Sequence, residues 1–400
     1  MMSTTNLKKY WPYKRVKIKN MWINEDTTIT HLELHPDLSF LPLCSCCKKP
    51  VRRIHSKHNR IIRDLPMGPT ITVIQLNYRK VICEECGIRN EYFDFLAPYS
   101  RVTKRFSQYI FNLCQQMTVY DVAKLVKLSW HQVKAIDRNE LIHRHSKIDL
   151  SGLKIVAIDE TSFLKGHKYI TVVANYQTGQ VIAVIKNRDY EAIASFFSKL
   201  GNSILNNIEA VVMDMWPAYI KVVKNYCKNA SIVFDKFHVI AAFNKTIDSI
   251  RQQEYLRASE KDKRVFKGSK YLFLRKYISL NKQEERPKLE AILQQNALLA
   301  KAYILKDYIN TFWNYDTPRL AKEFILHWCK IAVETKCQKL IKFVNMIQRY
   351  LYGIVNHCVF QINNAKLEGI NNKIKVIKRR AYGYLDYQYF GYKIMQATTN

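Results

Sequence analysis

Residues 153–187 read LKIVAIDETSFLKGHKYITVVANYQTGQVIAVIKN and contain three short apolar runs, each long enough for one β-strand. The first run ends at Asp159. The other two flank residues 177–180, where Gly179 favours the tight turn of a β-hairpin. Three successive strands predict the beginning of a β-sheet.

Two more strands are predicted further along, each reached through a helix. The segments are a helix in YEAIASFFSKL (190–200), a strand in IEAVVMDMW (208–216), a helix in PAYIKVVKNYCKN (217–229) and a strand in SIVFDKFHVI (231–240). The last two strands end at Asp214 and Asp235. The resulting order β-β-β-α-β-α-β predicts an α/β fold.

Two of these carboxylates are expected to meet. Strands reached through helical crossovers pair parallel to the first strand, and the carboxyl ends of parallel strands share one edge of a sheet. A single aspartate at a strand end is usually a cap or turn residue. Asp159 and Asp214 on facing strands would repel each other, and a divalent cation such as Mg²⁺, or Mn²⁺, would remove that repulsion.

A third carboxylate lies far away in the sequence. Glu368 is the only acid among residues 335–385, which contain ten Lys and Arg. A helix capped by Asn364 is predicted there. Its apolar stripe is Leu367, Ile370, Ile374 and Ile377, and a neighbouring face is Glu368, Asn372, Lys375 and Arg379. Packed on the sheet, this helix would present Glu368 to the two aspartates. The alternative is a solvated basic face with a chance glutamate.

The charge of the chain points to a polyanionic partner. Its 400 residues contain 64 Lys and Arg against 33 Asp and Glu, a net charge of +31, which favours nucleic acid. No secretory signal peptide and no apolar run long enough to cross a membrane are visible, so we expect a cytoplasmic protein with no membrane partner. Its ten cysteines are then expected to be reduced.

Four of the cysteines have the spacing of a zinc ribbon. Cys44 and Cys47 form one C-x-x-C pair, and Cys83 and Cys86 form a second. Each pair can present two thiolates from one turn, and two such turns complete a tetrahedral Zn²⁺ shell. We expect the metal to be structural.

Other ligand sets remain open at this point. Cys46 could replace Cys44 or Cys47, His55 and His58 lie close enough to compete, and the cysteines could be buried free thiols. Gly87 suits a turn with positive φ. Residues 70–82, TITVIQLNYRKVI, alternate apolar and polar residues as a strand does.

A helix–turn–helix is predicted next. Apolar residues at helical spacing are Val119, Val122, Ala123 and Val126. Ser129 is a suitable N-cap for a second helix, whose apolar side would hold Val133 and Ile136. The residues free to project toward DNA are Trp130, His131, Gln132 and Lys134. Any two amphipathic helices would look similar, but the position after a zinc ribbon in a basic chain favours DNA recognition.

The chain resembles bacterial insertion-sequence transposases of the ISL3 group, which have a D-D-E catalytic triad on an RNase H-like fold. The resemblance covers nearly the whole chain. It rests on AIDETSFLKGHKYITVVANYQTGQVIAV (157–184), VVMDMWPAYI (211–220), IVFDKFHVI (232–240) and LEGINNKIKVIKRRAYGY (367–384). Two departures are visible: CSCCKKP lacks the glycine that usually follows the first zinc knuckle, and Asn175 stands where an acid is common.

The resemblance implies roles for particular residues. Asp159, Asp214 and Glu368 would be the triad, and the zinc region and helix–turn–helix would bind the ends of the element. A mostly helical insertion would cover about 244–360. Its aromatic residues are interpreted as core: Phe312, Trp313, Trp328 and Tyr352. Basic residues after the triad glutamate would contact DNA: Lys375, Lys378, Arg379 and Arg380.

These observations predict an α/β protein in three parts. They are a zinc-binding domain (1–96), a helix–turn–helix region (97–150) and an RNase H-like catalytic domain (151–400). The expected function is a DNA transposase that binds terminal inverted repeats, cleaves and joins DNA strands, and acts as a homo-oligomer. The alternatives are an inactive DNA-binding regulator and a nuclease without joining activity. His238 is either a hydrogen-bonded structural residue or a partner of DNA or the metal site.

Overall fold

The chain folds into two compact units that divide between Arg144 and His145 in the computed structural model. No helix of the described residues is both long and apolar enough to cross a membrane. The described residues are 13–145, 148–164, 168–362 and 365–399.

The first unit begins with a β-sheet. Its strands are β1 Val16–Ile23, β2 Ile29–Pro36, β3 Ile54–Met67, β4 Thr70–Cys83 and β5 Gly87–Asn90. The order is β1-β2-β4-β3, with β5 also paired to β4. The strand predicted over 70–82 is therefore confirmed as β4. It forms a long antiparallel hairpin with β3 around Gly68, whose φ of +60° suits a residue without a side chain.

A buried carboxylate joins this sheet to the first helix, α1 (Lys104–Gln116). Asp64 on β3 is fully buried and accepts hydrogen bonds from the Thr103 hydroxyl at 2.6 Å, from Arg105 Nε at 2.8 Å and from the Tyr13 hydroxyl. Burial alone would raise the pKa of Asp64, but the hydrogen bonds from Arg105 and Thr103 lower it below its ordinary value. Thr103 also caps α1, so one network fixes the start of the helical region.

The predicted helix–turn–helix is present in the first unit. Helix α2 spans Val119–Val126, and α3 spans Trp130–His145. Lys127 ends α2 in the left-handed conformation, with φ +50°. The backbone N–H of Gln132 donates to Ser129 Oγ at 3.3 Å, which confirms Ser129 as the cap of α3. The apolar sides of these helices meet in one cluster that includes Val122, Val126 and Val133.

The second unit is built on a five-stranded sheet. Its strands are β6 Ile155–Leu164, β7 Lys168–Asn175, β8 Val181–Lys186, β9 Ala210–Met213 and β10 Ser231–Phe234. The order is β10-β9-β6-β7-β8. Strands β6, β7 and β8 are antiparallel neighbours, while β9 and β10 run parallel to β6. The predicted parallel pairing of the two late strands is confirmed.

Helices cover both faces of this sheet. Those before and within the predicted insertion are α4 Tyr190–Phe197, α5 Asn202–Asn207, α6 Pro217–Tyr226, α7 Lys236–Arg257, α8 Glu260–Phe266, α9 Lys270–Leu274, α10 Glu285–Gln295, α11 Ala297–Asn310, α12 Pro318–Glu334, α13 Gln338–Val355 and α14 His357–Phe360. Two short 3-10 helices lie at Tyr277–Ser279 and Thr311–Asn314. The last helices are α15 Ala365–Arg380 and α16 Tyr387–Thr398. The stretch 244–360 is thus mostly helical, as predicted.

Alternate residues of the strands pack into two hydrophobic cores, one on each face of the sheet. Val156 and Ile158 on β6 belong to a core shared with α4, α6, α7 and the later helices up to α14. Ala157, between them, belongs to the core shared with α15 and α16. Phe312, Trp313 and Trp328 are buried as expected, whereas the predicted core residue Tyr352 is 43% exposed. This arrangement places helices above and below the ends of β6 and β9.

One predicted strand limit was wrong. Strand β6 does not end at Asp159 but continues to Leu164, because its pairing with β7 extends to the Leu164–Lys168 register. The last strand ends at Phe234, one residue before the predicted Asp235. The Asp235 side chain accepts a hydrogen bond from the N–H of Phe237 at 2.7 Å, so it caps α7 directly after the strand.

The basic helix near the C-terminus packs as predicted. Leu367, Ile370 and Ile374 of α15 are buried against the sheet, and Ile377 is partly buried beside them. The proposed cap, Asn364, lies outside the described residues. The apolar stripe therefore fixes which side of α15 faces β6.

A close contact between α13 and β10 gives a prediction for stability. A Cβ added at Gly353 would lie 2.5 Å from ring atoms of the buried Phe234, so Gly353→Ala should destabilise the protein by about 1–3 kcal/mol through overpacking. The matched control is Gly369→Ala, in α15, where no atom lies within 4 Å and alanine favours the helix. Urea unfolding of both variants measures this. An unchanged midpoint for Gly353→Ala would contradict the packing.

Candidate active site and metal centres

The two aspartates predicted to share a sheet edge lie together. Strand β6 pairs with β9 only as far as Ala157 and Val212, so Asp159 extends beyond that partner. Asp214 directly follows the last residue of β9. One ligand atom each from Asp159, Asp214 and His238 lies within 4.8 Å of the others. The strand ends thus form a cluster of two carboxylates and one imidazole.

His238 is held against the second aspartate. It lies in the first turn of α7, and its Nε2 is 2.8 Å from Asp214 Oδ1. Burial disfavours the charged imidazolium, but the hydrogen bond to Asp214 outweighs this effect, so the pKa of His238 lies above its ordinary value. The sequence left the role of His238 open, and the structure makes it a direct partner of the cluster.

The environment of Asp214 favours a cation. Burial raises the pKa of this carboxyl, and the charges of Asp159 and Asp235 act in the same direction, whereas His238 lowers it. The net shift is upward, which means that the carboxylate form lacks sufficient compensation. The oxygens of the two carboxylates suit a hard divalent cation, whereas His238 contacts Asp214 through Nε2. The donor set therefore fits a metal such as Mg²⁺.

Helix α15 reaches the cluster through an asparagine. Asn371 Nδ2 donates a hydrogen bond to Asp159 Oδ2 at 2.6 Å. Glu368 lies three residues earlier on the same helix, is exposed and is not part of the three-residue cluster. Sequence reasoning chose Asn372 for the face next to the site, one position away from Asn371. The side chain that contacts Asp159 therefore lies about 100° around the helix from the one chosen by sequence.

The basic residues of α15 differ in their contacts and exposure. Lys378 Nζ donates to the Ser162 carbonyl of β6 at 3.0 Å, so it helps to hold the helix on the sheet. Lys375, Arg379 and Arg380 are exposed. The latter three therefore form the accessible basic side of this helix.

An open cavity of about 230 Å³ adjoins the carboxylate cluster. Its walls come from the ends of β6 and β9, from the loop after β8 and from the starts of α6 and α7. The lining residues are Glu160, Arg188, Asp214, Met215, Trp216, Tyr219 and His238. The cluster is therefore reachable from solvent through a pocket that has both charged and aromatic walls.

The four cysteines chosen from the two C-x-x-C pairs converge in the first unit. Ligand sulfurs of Cys44, Cys47, Cys83 and Cys86 all lie within 4.8 Å of one another, and Cys47 Sγ is 3.6 Å from Cys83 Sγ. Thiolates bound tetrahedrally to zinc at about 2.3 Å lie about 3.8 Å apart. The donor type, number and spacing fit Zn²⁺.

The alternative zinc ligands are not members of this four-sulfur group. Cys46 is exposed, and His55 and His58 each bond to the Ser56 hydroxyl on β3. Gly87 has the predicted positive φ, +72°, and Lys48 adopts φ +60° after the first pair. The missing glycine in CSCCKKP is thus replaced by a lysine in the same left-handed conformation, at a cost of about 1 kcal/mol.

The predicted recognition residues begin α3. Trp130 is 41% exposed, and His131 is exposed beside it. Gln132 Oε1 accepts hydrogen bonds from the N–H and hydroxyl of Ser129, both at 3.0 Å, so that oxygen completes a capping box. Lys134 Nζ lies 5.3 Å from the centre of the Trp130 ring. Trp130, His131 and Gln132 are thus exposed, and Lys134 is half-buried.

Comparison with protein families matches three segments of the chain. The ISL3 DDE family model, described as a transposase, matches residues 156–394. The model of the helix-turn-helix domain of transposase family ISL3 matches residues 91–140. The model of the zinc-finger of transposase IS204/IS1001/IS1096/IS1165 matches residues 41–86. The last range contains all four clustered cysteines.

Curated relatives agree with these matches. The transposase for insertion sequence element IS1001 of Bordetella parapertussis is 36% identical over 359 residues, which is 89% of this chain and 88% of the relative. The transposase for insertion sequence element IS1557 of Mycobacterium tuberculosis is 23% identical over 346 residues, 80% of this chain and 78% of the relative. Both similarities extend over most of each chain.

The cysteine cluster predicts unequal effects of two substitutions. Cys83→Ser removes one of the four converging thiols, so the full-length protein should lose bound zinc and unfold at a lower temperature. Cys46→Ser changes a neighbouring, exposed cysteine and should retain about one zinc per chain. Metal content by mass spectrometry, with thermal unfolding, measures both. Zinc retained by the first variant, or lost by the second, would show that the ligand set is different.

Proposed function

The chain belongs to the ISL3 family of DDE transposases, and we propose that it binds the ends of an insertion sequence and catalyses metal-dependent DNA cleavage and strand transfer. The observation that carries this proposal is the convergence of Asp159 and Asp214, with His238, just beyond the point where the parallel pairing of β6 with β9 ends. The family implies a divalent metal such as Mg²⁺ at its active site. The donor set described above is suitable for that ion.

We assign the metal-binding role to the two aspartates. A bound divalent cation would stabilise charge on the phosphate oxygens and help to align the attacking and leaving groups. Asn371 fixes one oxygen of Asp159, and His238 fixes one oxygen of Asp214. Since each contact restricts a carboxylate rotamer, both residues orient the ligands before DNA arrives.

Glu368 is proposed as the third acid of the triad. It lies one helical turn from Asn371, and side chains three positions apart are neighbours on a helix surface. A rotamer change of an exposed glutamate, with a small movement of α15, would bring its carboxylate toward Asp159. The cation and the DNA backbone would provide the driving force, because they neutralise the added negative charge.

DNA binding is proposed to involve two separate surfaces. In the helix–turn–helix, Trp130, His131, Gln132 and Lys134 would read the terminal repeats, supported by the zinc region with Cys44, Cys47, Cys83 and Cys86 as ligands. Near the active site, Lys375, Arg379 and Arg380 are exposed and would contact phosphates. Lys378 would assist by holding α15 against β6.

The order and direction of the strands support an RNase H-like catalytic fold. Strands β6–β8 are antiparallel and β9 and β10 add parallel to β6, with helices on both faces. We retain 1–96, 97–150 and 151–400 as functional divisions, with the insertion at about 244–360. Because both ends of an element must be cut, we also propose a homo-oligomer on DNA, acting at the nucleoid on terminal repeats and target DNA.

Substitution of the acids tests the catalytic assignment. Asp159→Asn, Asp214→Asn and Glu368→Gln should each lower Mg²⁺- or Mn²⁺-dependent cleavage of terminal-repeat DNA by about 10³-fold, because metal positioning supplies several kcal/mol. Combining them should add little, since the three act as a unit. Gel-shift assays should show DNA binding preserved.

The control for this series is Glu209→Gln, which removes a surface carboxylate paired with Lys154 at 2.9 Å. It should cleave normally because exposed ion pairs contribute little. Normal cleavage by Glu368→Gln would remove that residue from the site. Normal cleavage by Asp214→Asn would overturn the proposed active site itself.

A further inference from the structure

We propose that Arg188 forms a binding subsite for a DNA phosphate next to the carboxylate pair. This inference rests on the proposed function and adds a residue that it does not include. Arg188 lies in the loop between β8 and α4 and lines the same 230 Å³ cavity as Asp214 and His238. Its side chain is 37% exposed, so a ligand in the cavity can reach it.

The backbone around Arg188 is fixed on both sides. Asn187, before it, has a φ of +71°, and its carbonyl accepts a hydrogen bond from the Thr171 hydroxyl at 2.7 Å. Asp189, after it, caps α4. The carbonyl of Arg188 itself accepts a hydrogen bond from Trp216 Nε1 at 3.2 Å. The arginine therefore projects from a backbone that tertiary contacts hold in place.

The guanidinium also lies against two aromatic rings. Its central carbon lies 4.4 Å from the centre of the Trp216 ring and 4.7 Å from that of Tyr169. Ring contacts of this kind occupy the faces of the planar group, and its N–H donors lie in the plane. The donors therefore remain available for anions approaching the edge.

Only one of those nitrogens is used by the ion pair with Glu160. Both contacts, at 3.1 and 2.9 Å, come from Nη1. Within the part of the chain that the structure describes, Arg188 Nη2 and Nε have no hydrogen bond to another residue. A guanidinium edge with two free donors matches two oxygens of a phosphate.

The carboxyl groups that line the cavity explain why a phosphate would need a cation such as Arg188 there. Its described lining contains the carboxyls of Glu160 and Asp214, which would repel a phosphodiester. Arg188 is the permanently charged cation among those lining residues. A simpler role is neutralisation of Glu160, but that role uses neither the free donors nor the fixed backbone. The geometry favours a phosphate neighbouring the one that is cleaved.

The experiment combines Arg188→Gln with uncharged methylphosphonate linkages. In full-length wild-type protein, cleavage of terminal-repeat DNA should fall about 10- to 100-fold when one phosphate beside the scissile bond is neutralised. Arg188→Gln should lose a similar factor on unmodified DNA. On DNA with that one neutral linkage the variant should lose nothing further, because the contact is already absent. If the loss from Arg188→Gln and the loss from the neutral linkage are fully additive in free energy at every phosphate position tested, the subsite is overturned.

A second comparison separates the subsite from simple neutralisation of Glu160. If Arg188 serves a phosphate, Arg188→Gln should cause the same fold-loss in a Glu160→Gln background as in wild type. If it serves Glu160, the second substitution should restore cleavage, which would overturn the proposal. Arg188→Lys should recover part of the loss, because it keeps the charge but not the fork of donors. Circular dichroism should show the variants equally folded.

The outcome for Asp214→Asn keeps this test distinct from that of the proposed function. Cleavage by wild type and none by Asp214→Asn establishes the active site whatever Arg188 does. In that case, full additivity of Arg188→Gln with the neutral linkages would overturn only the Arg188 subsite. Normal cleavage by Asp214→Asn would instead remove the active site, and the subsite that depends on it would fall as well.

Discussion

The catalytic unit depends on holding two like charges together at the end of a parallel strand pair. Asp159 and Asp214 lie within reach of one ion, and burial together with their mutual repulsion raises the pKa of Asp214. Such a pair is unfavourable unless the fold imposes it. Parallel pairing of β6 with β9 imposes it, because β9 stops at Met213 while β6 continues past Asp159.

Packing on the two faces of the sheet orients the two carboxylates independently. Helix α15 lies over one face and directs Asn371 to Asp159, while α7 begins beside the same edge and directs His238 to Asp214. Helix α15 is held by the core around Ile370 and Ile374, whereas α7 belongs to the larger core of the helical insertion. The packing of these helices therefore affects the carboxylate cluster through the first turn of α7.

The sequence predicted those features that follow from local periodicity and spacing. Alternation identified β4, helical spacing identified the apolar stripe of α15, and the two C-x-x-C pairs identified the clustered cysteines. Parallel pairing of late strands followed from their helical crossovers. The end of β6 was missed because hairpin pairing with β7 outweighs the apolar pattern.

Contacts between distant parts of the chain could not be predicted from local periodicity and spacing. The link from Asn371 to Asp159 spans 212 positions, and one residue of helix rotation separates it from the face chosen by sequence. No sequence motif marked Arg188, because the residues that surround it lie on three separate segments: Tyr169, Glu160 and Trp216. The paired asparagines at 371 and 372, inside an otherwise basic helix, were the available signal for the first contact.

Locating the metal in crystals tests the central claim most directly. Crystals of the full-length protein soaked in Mn²⁺ should give an anomalous-scattering peak within about 2.0–2.3 Å of oxygens from both Asp159 and Asp214, the distance range of carboxylate–metal bonds. The same map would show whether His238 or Glu368 completes the ligand set. Absence of a peak between the two aspartates, in protein that cleaves DNA at the same Mn²⁺ concentration, would contradict the account.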